Sequence, residues 1–149
     1  MKVVIQRVSE SSVKVNGEIV GAIGRGLMLL VGIDENDSLD DADWLVQKIL
    51  NLRIFGDDEG KMNLSVTDIA GELLCISQFT LMAEYRKGNR PSFIRAARPD
   101  QAVPIFEYFK KELAKSGFKT ESGIFGADMK VSLVNDGPVT IVMDSATKN

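Results

Sequence analysis

The chain has 149 residues, of which 44% are hydrophobic, and this suffices for one ordinary domain with a core of its own. It contains no histidine and a single cysteine, which excludes Ser-His-Asp and Cys-His nucleophiles, histidine-ligated metals, thiolate zinc clusters and intrachain disulfides. We therefore predict neither a metal site nor a cofactor, and the net charge of −3 argues only weakly against a nucleic-acid partner.

The first predicted elements are strands. Residues 1–8 alternate apolar and polar side chains and lack the apolar segment of a signal peptide. Asn16-Gly17 suits both positive φ angles of a type I′ turn and predicts a hairpin over Val13–Val20. The apolar run Leu27–Val31 predicts a strand buried on both faces and is too short to cross a bilayer. We expect a cytoplasmic protein with no membrane partner.

Two helices are predicted. Ser38 followed by Asp41 resembles a capping box and begins a helix over Ser38–Arg53. The second helix covers Asp100–Ser116, where Pro104 fits only if it lies in the first turn. Apolar residues recur at helical spacing in both segments: Leu45, Ile49 and Leu52 in the first, and Ile105, Phe106, Phe109 and Leu113 in the second.

The remaining strands complete the predicted fold. Glu72–Leu81 is typical of a central strand, and Met129–Asn135 and Val139–Asp144 are two strands joined by a turn at Asp136-Gly137-Pro138. Many strands with two separated helices and no βαβ alternation indicate an α+β fold. We predict one domain over residues 1–149, with a largely antiparallel or mixed, barrel-like sheet on which the two helices pack.

Three segments are candidates for chemistry. Ser77-Gln78-Phe79-Thr80 places polar groups at the end of an apolar strand, although simple strand alternation also explains it. Asn135–Thr140 is polar, although a tight turn accounts for every residue. The third is the basic loop, residues 85–93, whose Tyr85 and Phe93 offer faces on which bases stack. Cys75 lies in an apolar run and is expected to be a buried hydrophobe, not a nucleophile.

Charge is segregated along the chain. Residues 34–43 include six acids and no base, whereas residues 85–98 include five bases and no acid. Local patches rather than net charge decide where a polyanion docks. Arg86, Lys87 and Arg90 are therefore candidate phosphate-binding residues, and the alternative is that they occupy an ordinary solvated loop.

In combination, these motifs resemble the D-aminoacyl-tRNA deacylase family from end to end. Ser77–Leu81 followed by Asn135–Thr140 is the most specific pair. The other matching segments are Ile5-Gln6-Arg7-Val8, Gly32, Arg53-Ile54-Phe55, Gly60-Lys61-Met62-Asn63, Arg90-Pro91-Ser92-Phe93 and Gly123-Ile124-Phe125-Gly126-Ala127-Asp128-Met129.

The resemblance implies a homodimer with its active sites at the subunit interface. A cis Gly137-Pro138 bond would enter the partner's pocket, where its carbonyls grip the substrate's α-amino group and Arg7 holds it in place. The side chain of an L-amino acid in the substrate would collide with this backbone, whereas that of a D-amino acid would not. Glycine would be accepted because it has no side chain. Ser77, Gln78, Phe79 and Thr80 would line the catalytic site, with Phe125 and Met129 near the terminal adenosine.

The implied activity is proofreading hydrolysis of D-aminoacyl-tRNA, with some action on glycyl-tRNA. Water, assisted by the ribose 2′-hydroxyl, would attack the ester while backbone N–H groups around Phe79 and Thr80 stabilise the oxyanion. A Thr80 nucleophile is the competing mechanism, but the sequence offers it no obvious adjacent base. A non-catalytic RNA-binding module and a generic esterase are alternative functions, and the latter normally needs a histidine triad or a metal. DNA is not an expected partner.

Overall fold

The computed structural model describes residues 1–148. These residues form eight strands and two α-helices in the following order: β1 Lys2–Val15, β2 Glu18–Ile23, β3 Gly26–Gly32, α1 Leu39–Asn51, β4 Phe55–Gly56, β5 Met62–Leu64, β6 Glu72–Ser77, α2 Pro99–Ala114, β7 Thr120–Ser122 and β8 Lys130–Asp144. Short 3₁₀ helices follow β6, at Phe79–Met82, and β8, at Ser145–Thr147. No helix in this part of the chain is long and apolar enough to span a membrane.

The long strand β1 organises the main sheet. It pairs antiparallel with β2, β3 and β8, while β3, β6 and β7 run parallel to one another. Strand β2 also packs against β7, where a Cβ on Gly21 would lie only 2.9 Å from the Ser122 carbonyl oxygen. This close approach bends the sheet towards closure and confirms the predicted α+β fold with a mixed, barrel-like sheet.

Two predicted strand features agree with the structure. Asn16 and Gly17 both have positive φ angles, +52° and +80°, and connect β1 to β2 as the predicted hairpin turn. Strand β3 is buried along nearly its whole length, as its continuous apolar run indicates. Because β3 lies between β1 and β6, neighbouring strands shield both of its edges.

The two helices fall close to their predicted positions. Helix α1 begins after Ser38, whose backbone N–H donates to Asp41 Oδ2 over 2.9 Å. The predicted apolar face of α2 is fully buried against the sheet and α1. Pro104, however, lies beyond the first turn of α2, contrary to the prediction. It removes one N–H donor inside the helix, and the buried face outweighs that loss.

The strand predicted over Glu72–Leu81 is too long. Strand β6 ends at Ser77, and the chain then turns into the 3₁₀ helix, with Leu81 N–H donating to the Gln78 carbonyl oxygen over 3.2 Å. Gly32 makes this turn possible, because a Cβ there would lie 2.9 Å from Leu81 Cβ and 3.0 Å from the Gln78 oxygen.

The two strands predicted at the C-terminal end are one strand, β8, instead of a pair joined by a turn. Strand β1 runs beside it from the Lys2–Asp144 pair to the Lys14–Lys130 pair. The register of this pairing shifts between Gln6 and Glu10, opposite Gly137-Pro138. A proline has no N–H for the ladder, so it is tolerated at such an irregularity on an edge strand.

Candidate active site

A cavity of about 260 Å³ opens where β6 ends. Its walls come from the ends of β3 and β6, the start of α2 and the segment before β8. Five predicted site residues line it together: Ser77, Gln78, Phe79, Phe125 and Met129. The structure thus brings together residues that are about 50 positions apart in the sequence.

The predicted oxyanion donors lie at the rim of this cavity. The N–H groups of Phe79 and Thr80 begin the 3₁₀ helix and have no hydrogen-bond acceptor among residues 1–148. The N–H of the preceding Gln78 donates to the Val31 carbonyl oxygen over 2.7 Å, which anchors the turn to β3. Two adjacent unpaired backbone donors on an anchored turn can stabilise a developing negative charge.

Thr80 does not line the cavity, and its hydroxyl is occupied. Gln78 Nε2 donates to Thr80 Oγ1 over 2.5 Å. No lysine, carboxylate or other base forms a hydrogen bond with this hydroxyl within the described residues. The arrangement supplies no group that would activate Thr80 as a nucleophile.

Arg7, Gly137 and Pro138 form a second cluster, outside the first cavity. They lie together along a separate concavity of about 430 Å³, and the Gly137-Pro138 peptide bond is cis. Arg7 Nε donates to the Asp136 carbonyl oxygen over 2.9 Å, and Arg7 Nη1 donates to the Ile54 carbonyl oxygen over 2.7 Å. Within one chain, therefore, the cavity residues and the Gly137-Pro138 segment do not meet.

The basic loop lies next to the first cavity, because its Phe93 packs against Phe79 of the cavity wall. Its neck is closed by two hydrogen bonds of 2.8 Å between the backbones of Glu84 and Ser92. Arg86, Lys87 and Arg90 are exposed and form no ion pair with residues 1–148. All three are thus available to an anionic partner.

Two other residues of this region have structural partners. Arg95 pairs with Asp34 at 2.8 Å and approaches Glu84 at 3.7 Å, so it is separated from the free cations. Phe93, predicted as a stacking platform, packs edge-to-face against Phe79 with ring centroids 5.1 Å apart. Phe93 therefore connects the basic loop to the cavity.

Cys75 is fully buried, as predicted. Burial raises the pKa of its thiol to about 12, so the sulfur stays protonated at neutral pH. A protonated, inaccessible thiol has no role as a nucleophile.

Sequence reasoning missed part of the cavity wall. Val31, Ile33, Ala97 and Ala102 also line it. The alternation of a strand places Val31 and Ile33 on the same face, which was a usable indication. Ala97 is held beside the end of β3 by its N–H, which donates to the Ile33 carbonyl oxygen over 2.9 Å, and Ala102 follows on α2. No local pattern shows these long-range contacts.

Comparisons with known proteins agree with this geometry. Residues 4–144 match the family described as D-Tyr-tRNA(Tyr) deacylase. A D-aminoacyl-tRNA deacylase of Akkermansia muciniphila is 59% identical over 147 residues, covering 97% of each chain. One from Flavobacterium johnsoniae is 56% identical over 149 residues, covering 99% of each.

Two solved structures share the fold. One named c-Myc DNA Unwinding Element Binding Protein has a TM-score of 0.91 at 44% identity, covering 97% of this chain and 98% of its own. One described as a probable eukaryotic D-amino acid tRNA deacylase has a TM-score of 0.83 at 17% identity, covering 95% and 97%. At that lower identity the likeness concerns the fold alone. Together with the family match and the sequence relatives, these findings show that the chain belongs to the D-Tyr-tRNA(Tyr) deacylase family and is a hydrolase of the ester bond of D-aminoacyl-tRNA.

Proposed function

We propose that the chain works as a cytoplasmic homodimer that proofreads translation. It hydrolyses D-aminoacyl-tRNA and glycyl-tRNA and rejects L-aminoacyl-tRNA, as one domain and without a metal or cofactor. The observation that carries this proposal is the pair of unbonded N–H groups on Phe79 and Thr80 beside the cavity formed with Phe125 and Met129.

The reaction needs no ionisable side chain. Water adds to the ester carbonyl carbon, and the negative charge that develops on the carbonyl oxygen is stabilised by the N–H groups of Phe79 and Thr80. The bond to the ribose oxygen then breaks, and that oxygen takes up the proton released by water, with the neighbouring 2′-hydroxyl assisting the transfer. In this mechanism the Gln78–Thr80 hydrogen bond stabilises the turn that presents the donors.

The proposed chiral screen is Gly137-Pro138. Support comes from its attachment: Arg7 donates to the preceding Asp136 carbonyl oxygen and to the Ile54 carbonyl oxygen, which precedes β4. Backbone held this firmly rejects every L side chain by the same steric contact, whatever its chemistry. The substrate ammonium would be bound by the carbonyl oxygens of the segment, and glycine passes because it has no side chain.

A dimer explains how the two clusters act on one substrate. Phe79 is 57% exposed in the single chain, and stabilisation of an oxyanion is strongest where water is excluded. Val142, on the same edge strand as Gly137-Pro138, is 68% exposed. Among residues 1–148, β8 pairs only with β1. A second copy covering both surfaces would place its Gly137-Pro138 segment at the cavity.

The tRNA would be bound by Arg86, Lys87 and Arg90, which lack ion-pair partners within the described residues. Phosphate contacts from such a loop position the acceptor end without reading its sequence. The basic loop alone would also suit a non-catalytic RNA-binding module. The family membership and the paired N–H donors favour catalysis over that alternative.

Complementation between two inactive variants tests the cross-subunit arrangement. Gly137→Ala disrupts the screen, and Ala127→Trp fills the cavity, which Ala127 lines. In a mixed dimer, one site combines the intact cavity of one protomer with the intact Gly137 of the other. We expect mixing, after denaturation and refolding together, to restore D-aminoacyl-tRNA hydrolysis. A mixture as inactive as its components, with mixed dimers shown to form, contradicts the proposal.

A further inference from the structure

We propose that a third cavity, formed by Phe93, Ile94 and Arg98, binds the nucleotide that precedes the esterified nucleotide of the tRNA. This inference rests on the proposed function and adds a second nucleotide-binding site to it. The cavity, which we call the rim cavity, has a volume of about 550 Å³ and is also lined by Glu35, Asn36 and Gln101. That volume is within the range of small-ligand sites.

The rim cavity adjoins the first cavity, at the end of β6, which we call the catalytic cavity. Phe93 in the former contacts Phe79 in the latter, with centroids 5.1 Å apart. On the opposite side, Gln101 lines the rim cavity and its neighbour Ala102 lines the catalytic cavity. A nucleotide strand whose last residue occupies the catalytic cavity can therefore continue past Phe93 and Phe79 into the rim cavity.

The chemistry of the rim cavity suits a nucleotide. Ile94 is 79% exposed, and with the half-buried Phe93 it offers an apolar surface on which a base packs. Arg98 is exposed and forms no ion pair with residues 1–148, so its guanidinium is free to bind a phosphate. Single-stranded nucleic acids are commonly bound by aromatic side chains together with cationic groups, and Phe93 and Arg98 supply one of each.

The polar wall of the rim cavity is fixed in place. Gln101 Nε2 donates to the Glu35 carbonyl oxygen over 2.8 Å, which ties the loop after β3 to α2. The Glu35 carboxylate has no ion pair or hydrogen-bond partner within the described chain. It repels a phosphate but accepts from the exocyclic amino group of a base, so the base lies towards Glu35 and the phosphate towards Arg98.

The basic loop begins beside the rim cavity. Its neck at Ser92 is next in the chain to Phe93, which lines the rim cavity, so the exposed Arg86, Lys87 and Arg90 belong to a loop that begins at this cavity. A strand that runs from its esterified end in the catalytic cavity into the rim cavity would therefore arrive beside the basic loop.

Two short substrates test the proposal with wild-type protein. They are the D-tyrosyl ester of adenosine and the D-tyrosyl ester of the dinucleotide cytidylyl-adenosine, which adds one base and one phosphate. We expect the dinucleotide ester to have a KM about 5- to 100-fold lower, the range typical of one stacked base. Arg98→Gln and Ile94→Ala should each remove most of this advantage and leave hydrolysis of the adenosine ester unchanged.

Lys111→Gln is the matched control, because it removes one exposed charge from the far end of α2, outside the rim cavity. It should keep the advantage of the dinucleotide. Equal KM values for the two esters, or an advantage that both rim-cavity variants retain, would overturn the proposal.

A binding measurement separates this proposal from the proposed function. Unesterified cytidylyl-adenosine and adenosine are titrated into wild-type and Arg98→Gln protein by calorimetry. If wild type hydrolyses neither ester, the proposed function is contradicted. The rim cavity would still be supported if wild type binds the dinucleotide more tightly than adenosine and Arg98→Gln abolishes this difference. Equal affinity for the two ligands would refute the rim cavity even if both esters are hydrolysed.

Discussion

Gln78 and Thr80 are joined by a side-chain hydrogen bond of 2.5 Å in which the amide donates to the hydroxyl. The hydroxyl is therefore held by an amide and not by a base. Since the proposed oxyanion donors are backbone groups, they survive changes of the Thr80 side chain.

Thr80→Ala and the isosteric Thr80→Val should keep most of the activity. We expect kcat/KM for D-tyrosyl-tRNA to fall by less than about 100-fold, the lower end of the cost of losing one oxyanion donor. Single-turnover kinetics on both variants provide the measurement, with circular dichroism as the folding control. A loss of about 10⁴ with the fold intact would instead identify Thr80 as the nucleophile.

Gly137→Ala should lower kcat/KM for deacylation by more than its loss of folding stability explains. A Cβ there would lie 2.9 Å from Arg7 Nη2 and 2.9 Å from Val139 Cγ2, at a φ of +130°. We expect a loss of on the order of 1–3 kcal/mol in the free energy of unfolding and a marked fall in kcat/KM.

Gly117→Ala is the matched control for this change. Gly117 has a φ of +85° and open space around its Cβ position, so it imposes backbone strain away from the Arg7 contact. Denaturant unfolding and kcat/KM are measured on both variants. If the two lose activity equally for equal losses of stability, Gly137 has no special role in the site.

Neutralising the basic loop should weaken tRNA binding and its dependence on salt. Changing Arg86, Lys87 and Arg90 to glutamine should raise KM and lower the slope of log K against log salt by about 0.7–0.9 per lost phosphate contact. A control with Lys14, Lys111 and Lys119 changed to glutamine removes the same charge from other exposed positions. Identical salt slopes in the two triple variants would place the basic loop away from the RNA.

Asp41 should make stability depend on pH under acidic conditions. Burial opposes ionisation of this carboxyl, but the Ser38 N–H and the side chains of Ser145 and Lys148 outweigh it and lower its pKa from 3.8 to about 2. Because the folded state favours the charged form, the stabilisation is complete above about pH 4 and is lost as the pH falls towards 2.

Asp41→Asn should therefore flatten the dependence of unfolding free energy on pH within this window. Asp40→Asn removes a neighbouring charge from the same helical turn and serves as the control, because Asp40 does not bond to Ser38. Urea unfolding between pH 2 and pH 5 provides the comparison. If the free energy of unfolding depends on pH in the same way in wild type and Asp41→Asn, Asp41 is not the source of the acidic pH dependence.

Local sequence patterns predicted most of the fold. The hairpin at Asn16-Gly17, the buried strand β3 and both helices follow from turn chemistry and apolar periodicity, and the structure has each of them. The boundaries that failed depend on distant contacts. Strand β6 ends early because the Gln78 turn docks on Gly32, and β8 continues through Gly137-Pro138 because β1 supports it on one side.

The site was predicted unevenly for the same reason. The segments around Ser77 and Phe125 were found from their motifs, and the fold brings them together in one cavity. The ion pair of Arg95 with Asp34 joins a basic segment to an acidic one and was not predictable from either. The same holds for the Phe79–Phe93 contact that links the cavity to the basic loop.

Chiral selectivity is tested most directly by measuring the deacylation of D-tyrosyl-tRNA and L-tyrosyl-tRNA by the purified protein under identical conditions. We expect the D ester to be hydrolysed rapidly, while the L ester is lost no faster than in buffer without enzyme, because its side chain collides with the Gly137-Pro138 backbone. Comparable rates for the two enantiomers would contradict a backbone screen at this site.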